Sequence, residues 1–367
     1  MHLSRDVYSL IRPLLFSLGP ETSHDLVLSS LAAISRSRIA CSLLGKLFSG
    51  NAQPLPTRVM GVNFPNPVGL AAGLDKQGNC ANALSKLGFG WVELGTVTPL
   101  PQPGNSKPRM FRLTPHQAII NRMGFNSIGL EQFLGNIRRI RPGIVTGINI
   151  GKNAATPVEQ APSDYLRGLE AVYLHADYIT INISSPNTSN LRTLQQDDAL
   201  DDLLGQIILR RQQLSDTHGR YVPLVLKIAP DLNATQVQSI AAQLRKHKLD
   251  GVAATNTTVS RQAVSQHPDA KQDGGLSGAP LREMSTQVVR SLYQNLQGEI
   301  PIMGIGGIDS VHSAFEKFEA GANLVQIYTG FIFKGPGLIT DIVKDLSGHC
   351  ESRDFAQFVN TLHLKSA

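Results

Sequence analysis

The chain has 367 residues, 41% of them hydrophobic and only 17% charged, enough for one α/β barrel of about 250 residues with an appendage. Thirty-four Lys+Arg against 28 Asp+Glu give a formal charge of +6, which suits an anionic cofactor, an anionic substrate or an anionic lipid surface. No Lys/Arg run interleaved with aromatics points to nucleic acid, and three scattered cysteines, Cys41, Cys80 and Cys350, give no disulfide framework or metal-ligand spacing.

Residues 1 to about 45 form a region of their own. Val7, Leu10, Ile11, Leu14, Leu15 and Leu18 recur at helical spacing, and Gly19-Pro20 stops the run. A second helix, capped by Thr22 or Ser23, carries Leu26, Val27, Leu31 and Ile34 as its stripe. Arg36, Arg38 and Lys46 gather beyond it. The pattern fits either a helical hairpin packed on the rest of the chain or one lying in a membrane interface. No run reaches the roughly 18 apolar residues of a spanning helix, and the N-terminus lacks the cleavage site of a secretory signal.

From about Asn66 the pattern becomes strand, polar or glycine-rich turn, helix, repeated. Eight apolar runs read as buried parallel strands: Val68–Ala72, Trp91–Leu94, Ile144–Ile148, Tyr178–Ile181, Val222–Leu226, Gly251–Ala254, Ile302–Met303 and Leu324–Ile327. Helical patterns lie between most of them, such as Gln77–Leu87, Asp198–Gln213, Asn233–His247, Glu283–Asn295 and Ser310–Ala320. Eight units without a linker predict an α/β fold, a closed (β/α)8 TIM barrel spanning about 52–345 with an N-terminal helical hairpin extension. Two extra hairpins are expected, at Arg58–Asn66 and around Met110–Asn121, and residues 346–367 form an extension with no assigned role.

A barrel of this kind places its chemistry at the C-terminal ends of its strands, and polar residues appear abruptly at those ends. The first two runs lead into Ala71-Ala72-Gly73-Leu74-Asp75-Lys76 and Gly95-Thr96-Val97-Thr98-Pro99, the next two into Asn149-Ile150-Gly151-Lys152 and Asn182-Ile183-Ser184-Ser185-Pro186-Asn187-Thr188. The fifth delivers Lys227 and the sixth Thr255-Asn256-Thr257-Thr258. Any one of these could be a capped turn; six in succession are harder to explain that way. Gly304-Ile305-Gly306-Gly307 and Tyr328-Thr329-Gly330 follow the last two strands, where glycine lets backbone N–H groups approach a phosphate. A ring surrounded by amides, hydroxyls and lysines suits an isoalloxazine, with Lys227 as the cation for its reduced, anionic form.

The wording of these motifs, together with Asn121-Arg122-Met123-Gly124-Phe125, Lys227-Ile228-Ala229-Pro230-Asp231 and Gly274-Gly275-Leu276-Ser277-Gly278, resembles the quinone-dependent (class 2) dihydroorotate dehydrogenases of bacteria. The resemblance runs in order from the N-terminal helices to about residue 345. It implies oxidation of dihydroorotate to orotate in pyrimidine biosynthesis, with electrons passing through FMN to a membrane quinone. It places FMN against Ala72, Gly73, Leu74, Asp75, Lys76, Thr96, Asn149, Asn182, Lys227, Thr255, Gly278, Gly307, Tyr328 and Thr329. Dihydroorotate falls to Lys76, Asn121, Arg122, Met123, Gly124, Phe125, Asn182, Asn187, Asn256 and Thr257, whose amides suit a cyclic imide and whose lysine suits a carboxylate.

By the same resemblance Ser185 is the base that takes the C5 proton, with Thr188 as first acceptor of a relay. Class 1 relatives use cysteine there and lack the N-terminal helices. His24, Arg112 and Tyr328 are expected along a quinone tunnel formed by the hairpin. The resemblance also implies a monomer held peripherally on the cytoplasmic face of a bacterial inner membrane. The competing readings are another FMN-dependent barrel oxidoreductase and a non-catalytic ligand-binding barrel. The C-terminal extension and a few residues inserted near Leu43–Asn51 depart from the bacterial pattern.

Overall fold

The computed structural model describes residues 3–48, 54–188, 190–350 and 354–366. The strands, in chain order, are β1 (Thr57–Val59), β2 (Val62–Phe64), β3 (Val68–Leu70), β4 (Trp91–Val97), β5 (Met110–Leu113), β6 (Ala118–Asn121) and β7 (Val145–Ile150). They continue as β8 (Tyr178–Asn182), β9 (Leu224–Ile228), β10 (Gly251–Ala254), β11 (Gly275–Gly278), β12 (Ile302–Ile305) and β13 (Leu324–Ile327). Eight of them close a parallel barrel in the order β10-β12-β13-β3-β4-β7-β8-β9. All eight expected strands are present, with ends differing by a few residues.

These strands read as continuous apolar runs because helices cover them outside and side chains fill them inside; every residue of β4 is buried. The interior holds Trp91, Tyr178, Val225, Met303 and Leu324. Room for the two large rings comes from glycine on the neighbouring strand. A Cβ on Gly69 would lie 2.1 Å from the Trp91 ring, and one on Gly147 would lie 2.2 Å from that of Tyr178. The expected hairpin β1–β2 plugs the barrel floor, its Phe64 ring meeting Trp91 edge-on at 4.8 Å.

At the opposite end β5 and β6 form the second expected hairpin, joined by β11 into a small antiparallel sheet of order β11-β6-β5. That third strand was not expected. It buries Leu276 against Leu113, Ala118 and Ile120 and lids the barrel mouth.

The N-terminal region contains three helices rather than two: α1 (Leu3–Ser17), α2 (Pro20–Ser35) and α3 (Arg38–Phe48). Pro20 opens α2, since its missing N–H is no loss in a first turn. Ser23 is no cap; its hydroxyl donates to the Leu15 and Gly19 carbonyls. The expected basic tail beyond α2 is itself helical, Ser37 Oγ accepting the Ala40 N–H at 3.2 Å as a cap does. The insertion expected near Leu43–Asn51 lies partly outside the described residues. At the other end a helix, Gly337–Cys350, runs unbroken across residue 346. It is followed by Phe355–Ser366, whose Phe355 packs edge-on against Phe318 at 5.3 Å.

Candidate active site

One cavity opens at the C-terminal ends of the barrel strands, beneath the β5-β6-β11 sheet, with about 1070 Å³ of free space including its mouth. Ala72, Gly73, Lys76, Thr96, Asn121, Met123, Gly124, Phe125 and Asn182 line it. So do Ser185, Asn187, Lys227, Thr255, Asn256, Thr257, Gly278, Gly307, Tyr328 and Thr329. Strand ends far apart in sequence thus converge because the barrel closes.

The amides are held by one another. Asn149 sits a layer below the cavity, fully buried, accepting from Thr96 Oγ1 at 2.6 Å and from Asn182 Nδ2 at 3.1 Å. Asn182 Oδ1 accepts the Ser184 hydroxyl at 2.9 Å, and Asn256 Nδ2 donates to that same hydroxyl at 2.9 Å. Asn187 Nδ2 donates to the Asn121 carbonyl at 3.1 Å, tying the loop after β8 to β6. The Met123–Phe125 turn is fixed from outside, where Gln102 Nε2 donates to the Gly124 and Phe125 carbonyls. Gly124 adopts φ 70° in that turn, and a Cβ there would meet Asn105 Oδ1 at 2.6 Å.

Ser185 is 5% exposed, and its Oγ accepts the Asn187 N–H at 3.2 Å. Thr188 does not line the cavity and is not hydrogen-bonded to Ser185; its buried Oγ1 has no partner among the described residues. Lys227 is buried and makes no hydrogen bond to a described residue. Burial holds its pKa down, and the Glu93 carboxylate partly offsets this. Glu93 is fully buried in the barrel interior, accepting from Asn149 Nδ2 at 2.8 Å, the Tyr178 hydroxyl at 2.8 Å and Gln326 Nε2 at 2.7 Å. Neither Glu93 nor Gln326 was singled out from sequence, although a carboxylate inside the apolar run Trp91–Leu94 was a visible signal.

Lys76 donates to Asn126 Oδ1 at 2.6 Å, and its pKa is pushed down to about 7 by burial and, secondarily, by Arg109. It borders a second, polar cleft shared with Glu21, Gln77, Lys107 and Arg109. Leu74 and Asp75 lie outside the central lining. The Asp75 carboxylate accepts the Asn79 and Cys80 N–H groups and closes the turn after β3. Arg122 turns away, its guanidinium 4.7 Å above the Phe111 ring and bonded to Gln272.

Gly306 and Gly307 adopt φ 117° and 71°, open to glycine alone at low cost. A Cβ on Gly307 would lie 2.3 Å from the Arg282 Cα, and one on Gly330 would lie 1.9 Å from the Ile308 carbonyl. Thr329 Oγ1 donates to Ser277 Oγ at 2.8 Å, closing the cradle from the side of β11.

A third cavity, almost wholly apolar, lies between α1, α2 and the barrel, lined by Tyr8, Leu15, Phe16, Val27, Leu31 and Phe331 among others. It meets the central cavity at Met110 and Ile119, which line both. His24 and Arg112 line this apolar chamber, while Tyr328 lines only the central one. Arg112 sits 4.2 Å over the Phe16 ring and donates to the Phe16 carbonyl at 3.0 Å. Burial holds His24 down to about 4, so it is neutral at physiological pH.

A glycine cradle after β12 and β13, buried amides around a polar chamber and a buried lysine define a barrel oxidoreductase with a phosphate-bearing redox cofactor. Among family models, that for dihydroorotate dehydrogenase matches residues 54–349. The chain belongs to the dihydroorotate dehydrogenase family. It is 54% identical over 341 residues to the dihydroorotate dehydrogenase (quinone) of Thiobacillus denitrificans, covering 93% of this chain and 99% of that one. It is 52% identical to the dihydroorotate dehydrogenase (quinone) of Delftia acidovorans, covering 93% and 98%. The crystal structure of ligand-free type DHODH from Eimeria tenella superposes with a TM-score of 0.84 at 35% identity, covering 94% of this chain and 99% of that one.

Proposed function

We propose that this chain oxidises dihydroorotate to orotate in pyrimidine biosynthesis, with FMN as the hydride acceptor and a quinone as the final electron acceptor. The observation that carries the reading is the meeting of Ser185, Asn121, Asn187, Asn256 and Lys76 in one cavity with the glycine cradle. The residues present fit FMN. The cradle admits no side chain at Gly307 or Gly330. Gln326 Oε1, buried beside the cavity, lacks a partner among the described residues, and Lys227 supplies an uncommitted ammonium.

Gly278, Gly307, Tyr328 and Thr329 would hold the phosphate, and Ala72, Gly73, Thr96, Asn182, Lys227 and Thr255 would surround the ring, with Asn149 bracing from below. When bound, FMN takes hydride from C6 of dihydroorotate and passes electrons to quinone. The side chains of Asn121, Asn187 and Asn256 orient the imide edge, and Lys76 neutralises the carboxylate. Ser185 Oγ removes the C5 proton, which the adjacent carbonyl acidifies. The Asn187 N–H steadies the oxygen as its charge grows. Thr188 Oγ1, buried and without a partner among the described residues, is the proposed onward acceptor of that proton, reached through water because it does not line the cavity.

The proposed division of labour gives chemistry to residues 52–345, quinone access and lipid contact to residues 1–45, and a bracing role to residues 346–367. No helix among the described residues is long and apolar enough to cross a membrane. Leu10 and Leu14 on α1 are 79% and 70% exposed, which supports a peripheral hold by an apolar helix face. A monomer on the cytoplasmic face belongs to the same reading.

The test is anaerobic mixing of flavin-loaded protein with dihydroorotate. Ser185→Ala is expected to bind orotate yet bleach its flavin about 100-fold or more slowly, as for loss of a positioned base. Ser185→Cys is expected to recover part of the rate, with its optimum at lower pH. Bleaching of Ser185→Ala at the wild-type rate would remove Ser185 from the chemistry.

A further inference from the structure

An open cavity with about 1060 Å³ of free space including its mouth lies where α3 meets the barrel, and it shares no lining residue with the central chamber. Arg38 and Lys46 enter it from α3, Lys86 from the turn before β4, and Arg141 from the segment before β7. Among the described residues no carboxylate lines it, and none of these four cations is in an ion pair. Arg141 is held in place by donating Nη2 to the Ser35 carbonyl at 3.1 Å, while Asn82 Oδ1 accepts its backbone N–H at 2.9 Å. Four like charges around one concavity, without counter-charge, concentrate positive potential at that point.

The rest of α3 says what kind of anion belongs there. Ile39, Leu43 and Leu47 are 76%, 61% and 38% exposed and stand at i, i+4 and i+8, one continuous apolar stripe. On the helix circumference the stripe begins beside Lys46, the last of the cavity-lining positions. Charge in the cavity and grease along its flank match a molecule with an anionic head and apolar chains. We propose that this cavity is a headgroup site for an anionic phospholipid, the chains lying along Ile39, Leu43 and Leu47. The site rests on the reading of the N-terminal helices as membrane-facing and adds to it two barrel residues, Lys86 and Arg141. Lipid bound there would clamp α3 to the barrel through its own phosphate.

The test uses the full-length, flavin-loaded protein. Wild type, Lys46→Gln/Lys86→Gln and a charge-matched control, Lys271→Gln/Lys344→Gln, are compared for binding to vesicles of phosphatidylcholine with and without phosphatidylglycerol. Loss of two cations at the headgroup plane should weaken binding to the anionic vesicles at least about tenfold. The control and binding to neutral vesicles should be unchanged. Dihexanoyl phosphatidylglycerol, below its micelle concentration, should bind wild type with one-to-one saturation and should not bind the double variant. Equal concentrations of inorganic phosphate or dihexanoyl phosphatidylcholine should not saturate the site. Equal weakening in the control variant, or no saturable binding of the short-chain lipid, would mean a diffuse field and overturn the site while leaving membrane association standing. Failure of wild type to bind any vesicle would overturn both. Flavin content and melting temperature of each variant establish that it is folded.

Discussion

Lys76 is the residue of the central cavity whose burial bears most directly on binding a carboxylate. Its ammonium lies between the central chamber and the polar cleft, and burial brings its pKa down to about 7. A depressed lysine is charged below that value and loses its proton as pH rises through it. A carboxylate ligand favours the charged form, so orotate should bind progressively more weakly above about pH 7, approaching tenfold per unit while free Lys76 is neutral. Titrating orotate against the flavin absorbance from about pH 6 to about pH 8.5 measures this. A wild-type affinity that is flat over the range, or equally sloped in Lys76→Gln, would exclude Lys76 as the cause. Residues of this sort were legible because polar side chains break an apolar run at a predictable place; Ser185, Asn187 and Lys227 all announce themselves so. Glu93 did not. It sits inside the run, and only its three donors explain how a carboxylate survives there. Arg122 shows the converse: membership of a motif does not say which way a long side chain turns.

At the level of elements, the barrel strands were readable because they are buried on both faces, whereas the short flanking pieces were not. β11 spans four residues, two of them glycine, and exists because β6 offers an edge to pair with. α3 was hidden by the basic residues at its start, although Ser37 gave a capping signal. The lid that β11 completes with β5 and β6 packs against the α1–α2 hairpin, and Arg112 on β5 is the joint. It holds the Phe16 and Leu18 carbonyls at the α1–α2 turn and covers the Phe16 ring. Replacing it by methionine should release that turn and distort the apolar chamber while leaving the amides of the central one in place. Arg112→Met is therefore expected to raise KM for quinone several-fold to about tenfold, in line with losing a few hydrogen bonds to a charged donor. Stopped-flow bleaching by dihydroorotate should stay within about twofold of wild type. Equal loss in both measurements would show that Arg112 supports the whole lid rather than the quinone side.

Over the whole molecule, an apolar chamber and a polar cleft both adjoin the central cavity, and they adjoin each other at His24, Leu28 and Leu74. The apolar one touches the central cavity at Met110 and Ile119, and the polar cleft touches it at Lys76 and Met123. In the proposed reading dihydroorotate lies in the central cavity and quinone in the apolar chamber, so reductant and oxidant need not occupy the same space. In product-inhibition experiments orotate should compete with dihydroorotate and should not compete with quinone, although the flavin alternates between its two states once per turnover. Competition between orotate and quinone would mean that a single chamber serves both. With separate chambers, a full pool of one product leaves the other half-reaction's doorway open, and turnover slows only when the flavin itself has no partner left to exchange electrons with.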